Sequence, residues 1–325
     1  MTKSNSSDQY PRYFTETPSE VDNPLGPLSN LLGTWKAAGT GWNMIALPFK
    51  DAPAGFAPFR ILMNQYDETL NFAFVDDNVA NRGVAADQRV ATLDYQQQIQ
   101  QTIAEDFPPS SEAGDPGLAI HHEPGLWINV KNELTNGIDI ARLASIPHGN
   151  SVLCLGESSV HDGMPDIPPI NALPAGRFED LSTPGYDIND DDYLRPYKHF
   201  VDNPFMGSVP GNIGFPGFNP RDMTEILRFA NQGVNISRTT QLTVDSKRED
   251  AGVHNMPFVT KEAEAMSMRS TFWIQEVGGD KYNEPAKLRL QYVQVVMLNF
   301  FRREDELPGR AEWPHVSICT LEKEV

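Results

Sequence analysis

The stretch that decides the fold reads LAIHHE (118–123), LWINV (126–130), IDIARLA (138–144) and SVLCL (151–155), with short turn segments between. Each segment is brief, rich in aliphatic or β-branched residues, and alternates between apolar and polar or small side chains. Such segments, separated by turn residues, are typical of antiparallel strands joined by hairpins. This region therefore predicts a meander of consecutive antiparallel strands.

Segments of the same kind continue on both sides of this stretch. They cover residues 31–35, 42–47, 58–63, 70–75 and 89–95 before it, and 236–244, 268–277, 287–300 and 315–322 after it. A meander has two unpaired edges, and closing it into a barrel removes both. The sequence therefore predicts an all-β fold, an antiparallel up-and-down β-barrel.

The chain divides into a lead-in and one domain. Residues 1–27 are polar and predict a flexible N-terminal lead-in, and residues 28–325 predict a single β-barrel domain. Residues 157–233 are proline-rich and interrupt the strand pattern, so we interpret them as an irregular insertion that forms a lid across the barrel mouth. One short helix is expected there, over 220–230, with Asn219 as its N-cap.

Composition excludes several classes of protein. The 325 residues include 26 Lys and Arg against 44 Asp and Glu, a net charge of −18, which disfavours nucleic acid and anionic membranes as partners. Two cysteines cannot form a disulfide framework or a cysteine-rich zinc site. No apolar run is long enough to span a bilayer, and the first residues contain no apolar signal segment. By elimination we expect a cytoplasmic protein.

His315 begins the last predicted strand. Alternation places residues 315, 317, 319 and 321 on one face and 316, 318 and 320 on the other, which is the more apolar face. If His315 points inward, its neutral imidazole can hold a heme iron at one axial position. The alternative is a half-exposed histidine at a strand start after Pro314.

His121 and Glu123 share one face of their strand, and His122 lies on the other. A carboxylate beside an imidazole can orient it and raise its basicity, as in an acid–base pair. His148 is the nearest other histidine in sequence. The alternative is that His121 and Glu123 are hairpin residues that satisfy each other's hydrogen bonds, and that His148 is a turn residue.

Four segments in this order resemble the nitrobindin-like heme-binding β-barrel family, which is related to the calycins. They are GTWKAAGTG (33–41), HHEPG (121–125), ARLASIPHG (141–149) followed by Gly156, and the pair LQY (290–292) with Met297 and PHVSICTL (314–321). The first segment departs from the family pattern at Ala37, which replaces a glycine. The resemblance covers residues 28–156 and 234–325.

The resemblance implies a cofactor and its site. It implies heme b in the barrel interior, His315 as the axial iron ligand, and nitric oxide, peroxynitrite or peroxide as small ligands at the open iron position. A heme-dependent isomerase or peroxidase-like activity would be consistent with this site. The residues implied in cofactor binding are Thr34, Trp35, His148, Tyr292 and His315.

Two other functions use the same barrel. One is a carrier for a lipid-like ligand without iron, and the other is a cofactor-free isomerase or cyclase with His121 and Glu123 as its catalytic pair. In each case the partner is a small hydrophobic or planar molecule. The insertion either closes over the site or docks a second copy of the chain in a homodimer, and the sequence leaves both open.

Overall fold

The computed structural model describes residues 23–132, 134, 137–146, 148–175, 192–209, 214–278, 286–302 and 308–324. The strands in these ranges are β1 (Gly33–Pro48), β2 (Phe59–Asn81), β3 (Gln88–Phe107), β4 (Ala119–Val130), β5 (Ile140–Ile146), β6 (Asn150–Asp162), β7 (Ile236–Asp245), β8 (Gly252–Asn255), β9 (Glu264–Val277), β10 (Lys287–Arg302) and β11 (Arg310–Lys323). The helices are α1 (Arg195–Asp202), α2 (Glu225–Asn231) and α3 (Pro257–Glu262). None of these helices is long and apolar enough to cross a membrane.

Ten of these strands form one closed antiparallel barrel. Its order is β1-β2-β3-β4-β5-β6-β7-β9-β10-β11, and β11 pairs back onto β1. The short strand β8 pairs with β6 beside the ring. Every strand of the ring has two neighbours, so the barrel has no free edge. The predicted all-β, up-and-down barrel is confirmed.

One end of the barrel is filled by an apolar core. A 3-10 turn at Gly26–Leu31 closes this end, and Leu25, Leu28 and Leu31 have no exposed surface. They pack with inward side chains of the strands, among them Trp35, Phe72, Trp127, Phe272 and Leu290. Because Leu25 lies in this core, the barrel domain begins before residue 28. Residues 1–22 of the predicted lead-in lie outside the described residues.

A second apolar core lies on the outer surface of the barrel, against strands β1, β2 and β11. Trp42 and Met44 of β1 and Val316 and Ile318 of β11 are buried there, although their strand neighbours point into the barrel. The side chains that cover them come from the insertion. They include Ile167, Tyr197, Phe200, Phe205, Phe218, Ile226 and Leu227. This core explains why the 316/318 face is the more apolar one: it is the outer face, and the insertion buries it.

The insertion holds more helix than the sequence predicts, and its helix starts later. Helix α2 begins at Glu225, because residues 220–223 are held in turns by the hydrogen bonds Ala172 N to Pro220 O (2.9 Å) and Met223 N to Ile170 O (2.8 Å). Asn219 accepts from the backbone of Arg221 at 2.9 Å instead of capping the helix. Helices α1 and α3 were not predicted.

We predict that Trp42→Ala lowers the free energy of unfolding by about 3–5 kcal/mol, because it removes a buried ring from the core between barrel and insertion. Trp42 is 2% exposed, and its ring centroid lies 5.9, 5.6 and 6.0 Å from those of Phe205, Phe215 and Phe218. Urea unfolding measures the change. Phe258→Ala is the control: its ring is 73% exposed, so a change within about 0.5 kcal/mol is expected. Equal losses in both variants would contradict the assignment of this core.

Candidate functional site

The other end of the barrel encloses a cavity of about 480 Å³. Its lining joins four residues singled out from the sequence, His121, His148, Tyr292 and His315. Helix α3 contributes Val259, and the loop between β3 and β4 contributes Leu118. The remaining lining residues include Asn43, Ile45, Leu47, Arg60, Leu62, Asn64, Gln97, Ile99, Glu112, Gln294, Val296, Leu298 and Ser317. A cavity of this size is in the range of small-molecule and cofactor sites.

The described part of the insertion does not cover this cavity. None of the lining residues belongs to 157–233, and the described insertion residues pack on the outer wall instead. The arrangement therefore differs from the predicted lid across the mouth. The physical reason is the apolar outer face of β1, β2 and β11, which would otherwise be exposed to water.

His315 lies on β11 and faces the cavity. Its remaining accessible surface opens onto this space, and no hydrogen bond joins its imidazole to another described residue. Burial, together with the nearby His121 and His148, lowers the pKa of His315 to about 4. The ring is therefore neutral near pH 7, with a nitrogen lone pair free to bind a metal ion or accept a proton.

His121 and His148 line the opposite side of the cavity. Strand β4, which carries His121, lies four strands from β11 around the ring of ten, so His121 and His315 line different walls of the cavity. The ring centroids of His121 and His148 are 5.7 Å apart. Burial and the neighbouring His121 lower the pKa of His148. The cavity therefore lies between one histidine on one wall and two on the other.

Glu123 holds His121 in place from behind the lining. One carboxylate oxygen, Oε2, lies 3.2 Å from His121 Nε2. The other, Oε1, accepts hydrogen bonds from Arg142 Nη2 at 2.6 Å and from the Tyr95 hydroxyl. Burial raises the pKa of Glu123, but Arg142 and His121 outweigh that effect and bring it to about 2. Glu123 is therefore an ionised carboxylate that orients the imidazole.

Arg142 is the counter-ion of Glu123 and is fully engaged. Its Nε donates to Tyr95 Oη at 2.9 Å, and its Nη1 donates to Ser270 Oγ at 3.0 Å and Gln294 Oε1 at 2.8 Å. The guanidinium lies 5.1 Å from the centroid of the Tyr95 ring, and it is 2% exposed. A buried ion pair of this kind persists only when further hydrogen bonds satisfy both ions, as they do here.

A second buried carboxyl group lies near the cavity. Glu68 accepts hydrogen bonds from Tyr292 Oη at 2.7 Å and Gln97 Nε2 at 2.7 Å, and the Tyr292 hydroxyl lies 3.0 Å from that of Tyr66. Burial raises the pKa of Glu68, although the hydrogen bonds from Tyr292 and Gln97 oppose the shift. In contrast to Glu123, this carboxyl has no cationic partner among the described residues.

The cavity carries many aliphatic side chains toward its mouth, alongside Arg60 and Glu112, and polar side chains at its inner end. The outer positions carry aliphatic side chains, including Leu47, Leu62, Leu118, Ile146, Val259 and Leu298. The innermost lining residue of six strands is polar: Asn43 in β1, Asn64 in β2, Gln97 in β3, His121 in β4, Tyr292 in β10 and Ser317 in β11. His121 is paired with Glu123, and we call the other five residues the polar floor. Beyond it begins the apolar core of the closed end.

Thr34 and Trp35 lie away from the cavity. The Thr34 hydroxyl donates to Asn71 Oδ1 at 2.9 Å on the outside, and Trp35 is buried in the core of the closed end, where its Nε1 donates to Leu31 O at 2.7 Å. A register shift between Lys36 and Gly41 separates this part of β1 from the part that lines the cavity. The two residues expected to wall the pocket therefore lie at the filled end instead, Thr34 on the outer surface and Trp35 in the core.

Sequence reasoning missed Arg142, Tyr95, Glu68, Gln97 and Asn64. A signal existed for Arg142, because alternation within IDIARLA places it on the same face as the buried Ile140 and Ala144. A similar signal existed for Gln97, which shares a face with Ile99 inside a glutamine-rich strand. For Glu68 and Asn64 the signal is weaker, since both faces of β2 carry polar residues at this point, such as Gln65 and Asp67 on the other face.

Two other features of the described residues bear on the choice of site. A depression of about 550 Å³ lies on the outside of the barrel, lined by Val90, Ile128, Leu155 and Arg248, and it contains no histidine. Within the described ranges, no cluster of three or more His, Cys, Asp or Glu side chains is arranged to hold a metal ion. The interior cavity is therefore the candidate site, with a single histidine available as a ligand on one wall.

Comparisons with known proteins give little further information. No family model matches the chain, and no curated protein matches it. A solved structure with similarity to the chain is the crystal structure of Rv2717c from M. tuberculosis, 14% identical over 93% of this chain and 98% of that chain, with a TM-score of 0.35. At that TM-score the likeness carries no weight for family or function.

We predict that Glu123→Gln destabilises the protein by about 3–5 kcal/mol at pH 7, because Arg142 is left buried without its counter-ion. The folded pKa of Glu123, about 2, lies below its usual value of 4.5, so its ionised form stabilises the fold above about pH 4.5. That contribution is lost as pH falls toward 2. The difference in unfolding free energy between wild type and variant should shrink over this interval, as measured by urea unfolding at several pH values.

Glu112→Gln is the matched control for this experiment. The Glu112 side chain is 72% exposed and lies 3.4 Å from Arg60, so its loss should cost under about 1 kcal/mol at any pH. The difference in unfolding free energy between wild type and Glu123→Gln could instead stay constant from pH 7 to pH 2. That result would show that the ionised carboxylate does not stabilise the fold.

Proposed function

We propose that the barrel binds heme b in its interior cavity, with His315 as the axial iron ligand. The observation that carries the proposal is the state of His315: a neutral imidazole that faces the cavity and has no hydrogen-bond partner among the described residues. Neutral imidazole is the form that binds iron. Heme would supply an iron centre that can bind a small ligand such as nitric oxide, peroxynitrite or peroxide.

The residues around His315 fit a flat apolar cofactor. Val296 on β10 pairs directly with His315, and Ile45 on β1 and Leu298 on β10 line the same part of the cavity. Aliphatic walls exclude water from the faces of a planar molecule and bury its apolar surface. The resemblance of four segments to nitrobindin-like heme-binding barrels supports the same ligand, and it includes the strand that carries His315.

The opposite wall supplies the group that meets a small ligand. His121 lines the same cavity as His315 from another wall, and Glu123 Oε2 lies 3.2 Å from its Nε2. An imidazole oriented by a carboxylate can take up or release a proton at its other nitrogen. We assign His121 this role, with Glu123 and Arg142 as positioning residues and His148 beside it at the more exposed rim.

Two alternatives use the same cavity without iron. The aliphatic side chains near the mouth favour a carrier of a lipid-like ligand, and the 3.2 Å contact between His121 and Glu123 favours a cofactor-free isomerase or cyclase. Both predict that added hemin binds weakly or not at all. An absorption spectrum therefore separates them from the heme proposal.

We predict that the purified protein titrated with hemin gives a Soret band at one equivalent, and that His315→Ala abolishes it because the axial nitrogen is lost. His122→Ala is the matched control, since His122 is exposed and lies on the opposite face of β4 from His121. It should bind hemin as the wild type does. His121→Ala should keep the Soret band and change its response to added nitric oxide or peroxide.

Far-UV circular dichroism of each variant shows whether the barrel is intact. An unchanged Soret band in a folded His315→Ala variant would overturn the assignment of the ligand. The absence of a band in the wild type would overturn the heme proposal itself and favour the carrier or the cofactor-free enzyme.

A further inference from the structure

The polar floor lies deeper than the proposed heme ligand. Ser317 follows His315 by two residues on the same face of β11, a step of about 6–7 Å along the strand. Asn43, Asn64, Gln97 and Tyr292 lie at the same inner end of the cavity. The floor and the His315 position are therefore two separate levels of one cavity.

Two amide oxygens of the floor residues accept no hydrogen bond from a described residue. Asn64 Nδ2 donates to Asn43 Oδ1 at 2.7 Å, and Gln97 Nε2 donates to Glu68 Oε1 at 2.7 Å. The amide oxygens Asn64 Oδ1 and Gln97 Oε1 are buried and have no partner among the described residues. Both side chains are 4% exposed. A buried acceptor without a donor costs about 1–3 kcal/mol, so a ligand that donates to it is favoured.

The floor offers no positive charge to an anion. Arg142 lies behind the lining and uses its guanidinium on Glu123, Tyr95, Ser270 and Gln294. Arg60, at the mouth, is 2.5 Å from Asp106 and 3.4 Å from Glu112. The other lining residues of the described chain include no lysine. A carboxylate placed on the floor would lose its hydration without gaining a counter-ion.

The carboxyl group of Glu68 strengthens this preference. It lies directly behind the floor, bonded to both Gln97 and Tyr292. A second carboxyl group at this depth would lie beside Glu68, where no described cation is available to balance the charge of either group. The hydroxyl of Tyr292 already donates to Glu68, and the two buried amide atoms without a partner among the described residues, Asn64 Oδ1 and Gln97 Oε1, are both acceptors.

We propose that the polar floor is a binding subsite for the uncharged, hydrogen-bond-donating head group of a small amphipathic molecule, a hydroxyl or primary amide, and that it excludes carboxylates. The apolar part of that molecule lies against the aliphatic mouth. This goes beyond the heme proposal, because it requires no iron. It also implies that the carboxylates of heme do not reach the floor.

Three ligands of similar length and different head groups test the proposal. Octan-1-ol donates a hydrogen bond, heptyl methyl ether has the same number of heavy atoms but no donor, and octanoate is an anion at pH 8. Each is titrated against Nile red bound to the full chain without hemin. We predict that octan-1-ol binds about tenfold more tightly than the ether, the value of one net hydrogen bond, and that octanoate binds most weakly.

Two variants identify the floor as the source of the preference. Gln97→Met and Asn64→Leu should each lower the affinity for octan-1-ol and leave that for the ether unchanged. Gln98→Met is the matched control, because Gln98 is the exposed neighbour of Gln97 on the same strand. It should keep the tenfold preference. Asn64→Leu leaves the pairing of Glu68 intact, so it remains informative if Gln97→Met fails to fold.

The outcomes separate this proposal from the heme proposal. Gln97→Met should keep a His315-dependent Soret band, because the two levels of the cavity are distinct. Equal affinity of octan-1-ol and the ether, or a preference that survives both floor variants, would overturn the subsite. Tight binding of octanoate would overturn the exclusion of carboxylates. None of these results depends on whether hemin binds.

Discussion

The wall made by β1, β2 and β11 is buried on both faces, and the candidate site depends on this constraint. Its outer face packs against the insertion through Trp42 and Ile318, and its inner face lines the cavity through Asn43 and His315. A strand held from both sides has little freedom to twist or slide, because a slip of one residue would exchange the two faces. The insertion thus fixes the position of His315 from outside the barrel.

This two-sided burial also explains how much of the molecule the sequence could predict. Alternation and turn residues are local signals, and they were sufficient to predict the strands. The barrel followed from the general rule that closing a sheet removes its unpaired edges. Alternation alone could not say which face of β11 is inside, since Val316 and Ile318 are more apolar than His315 and Ser317. Which face is inside depends on residues such as Phe205 and Phe218, which cover the outer face. They are distant in sequence and lie in segments without a regular strand or helix pattern.

The candidate site was predictable to a similar extent. His121 and Glu123 were expected on one face, and the structure places them in contact. Arg142 and Tyr95 complete that network from other strands, and their pairing requires the register between β3, β4 and β5. Thr34 and Trp35 were misplaced because the shift in β1 between Lys36 and Gly41 has no clear sequence signature beyond its glycines. Register and bulges are set by tertiary contacts, which a single sequence does not display.

The pairing of β1 with β11 has a consequence for how the chain folds. Trp42 lies opposite Ile318 in this pairing, so the seam joins the first strand to the last. Contacts of such long sequence separation are slow to form, because a large loop must close before any of them is gained. The hairpins from β2 to β6 involve only local contacts and do not wait for this step. Synthesis also delivers β11 last, so the wall that carries His315 is completed only after the rest of the barrel exists. A nascent or truncated chain lacking its final strand would present an open sheet with two edges and no cavity, a species prone to aggregation.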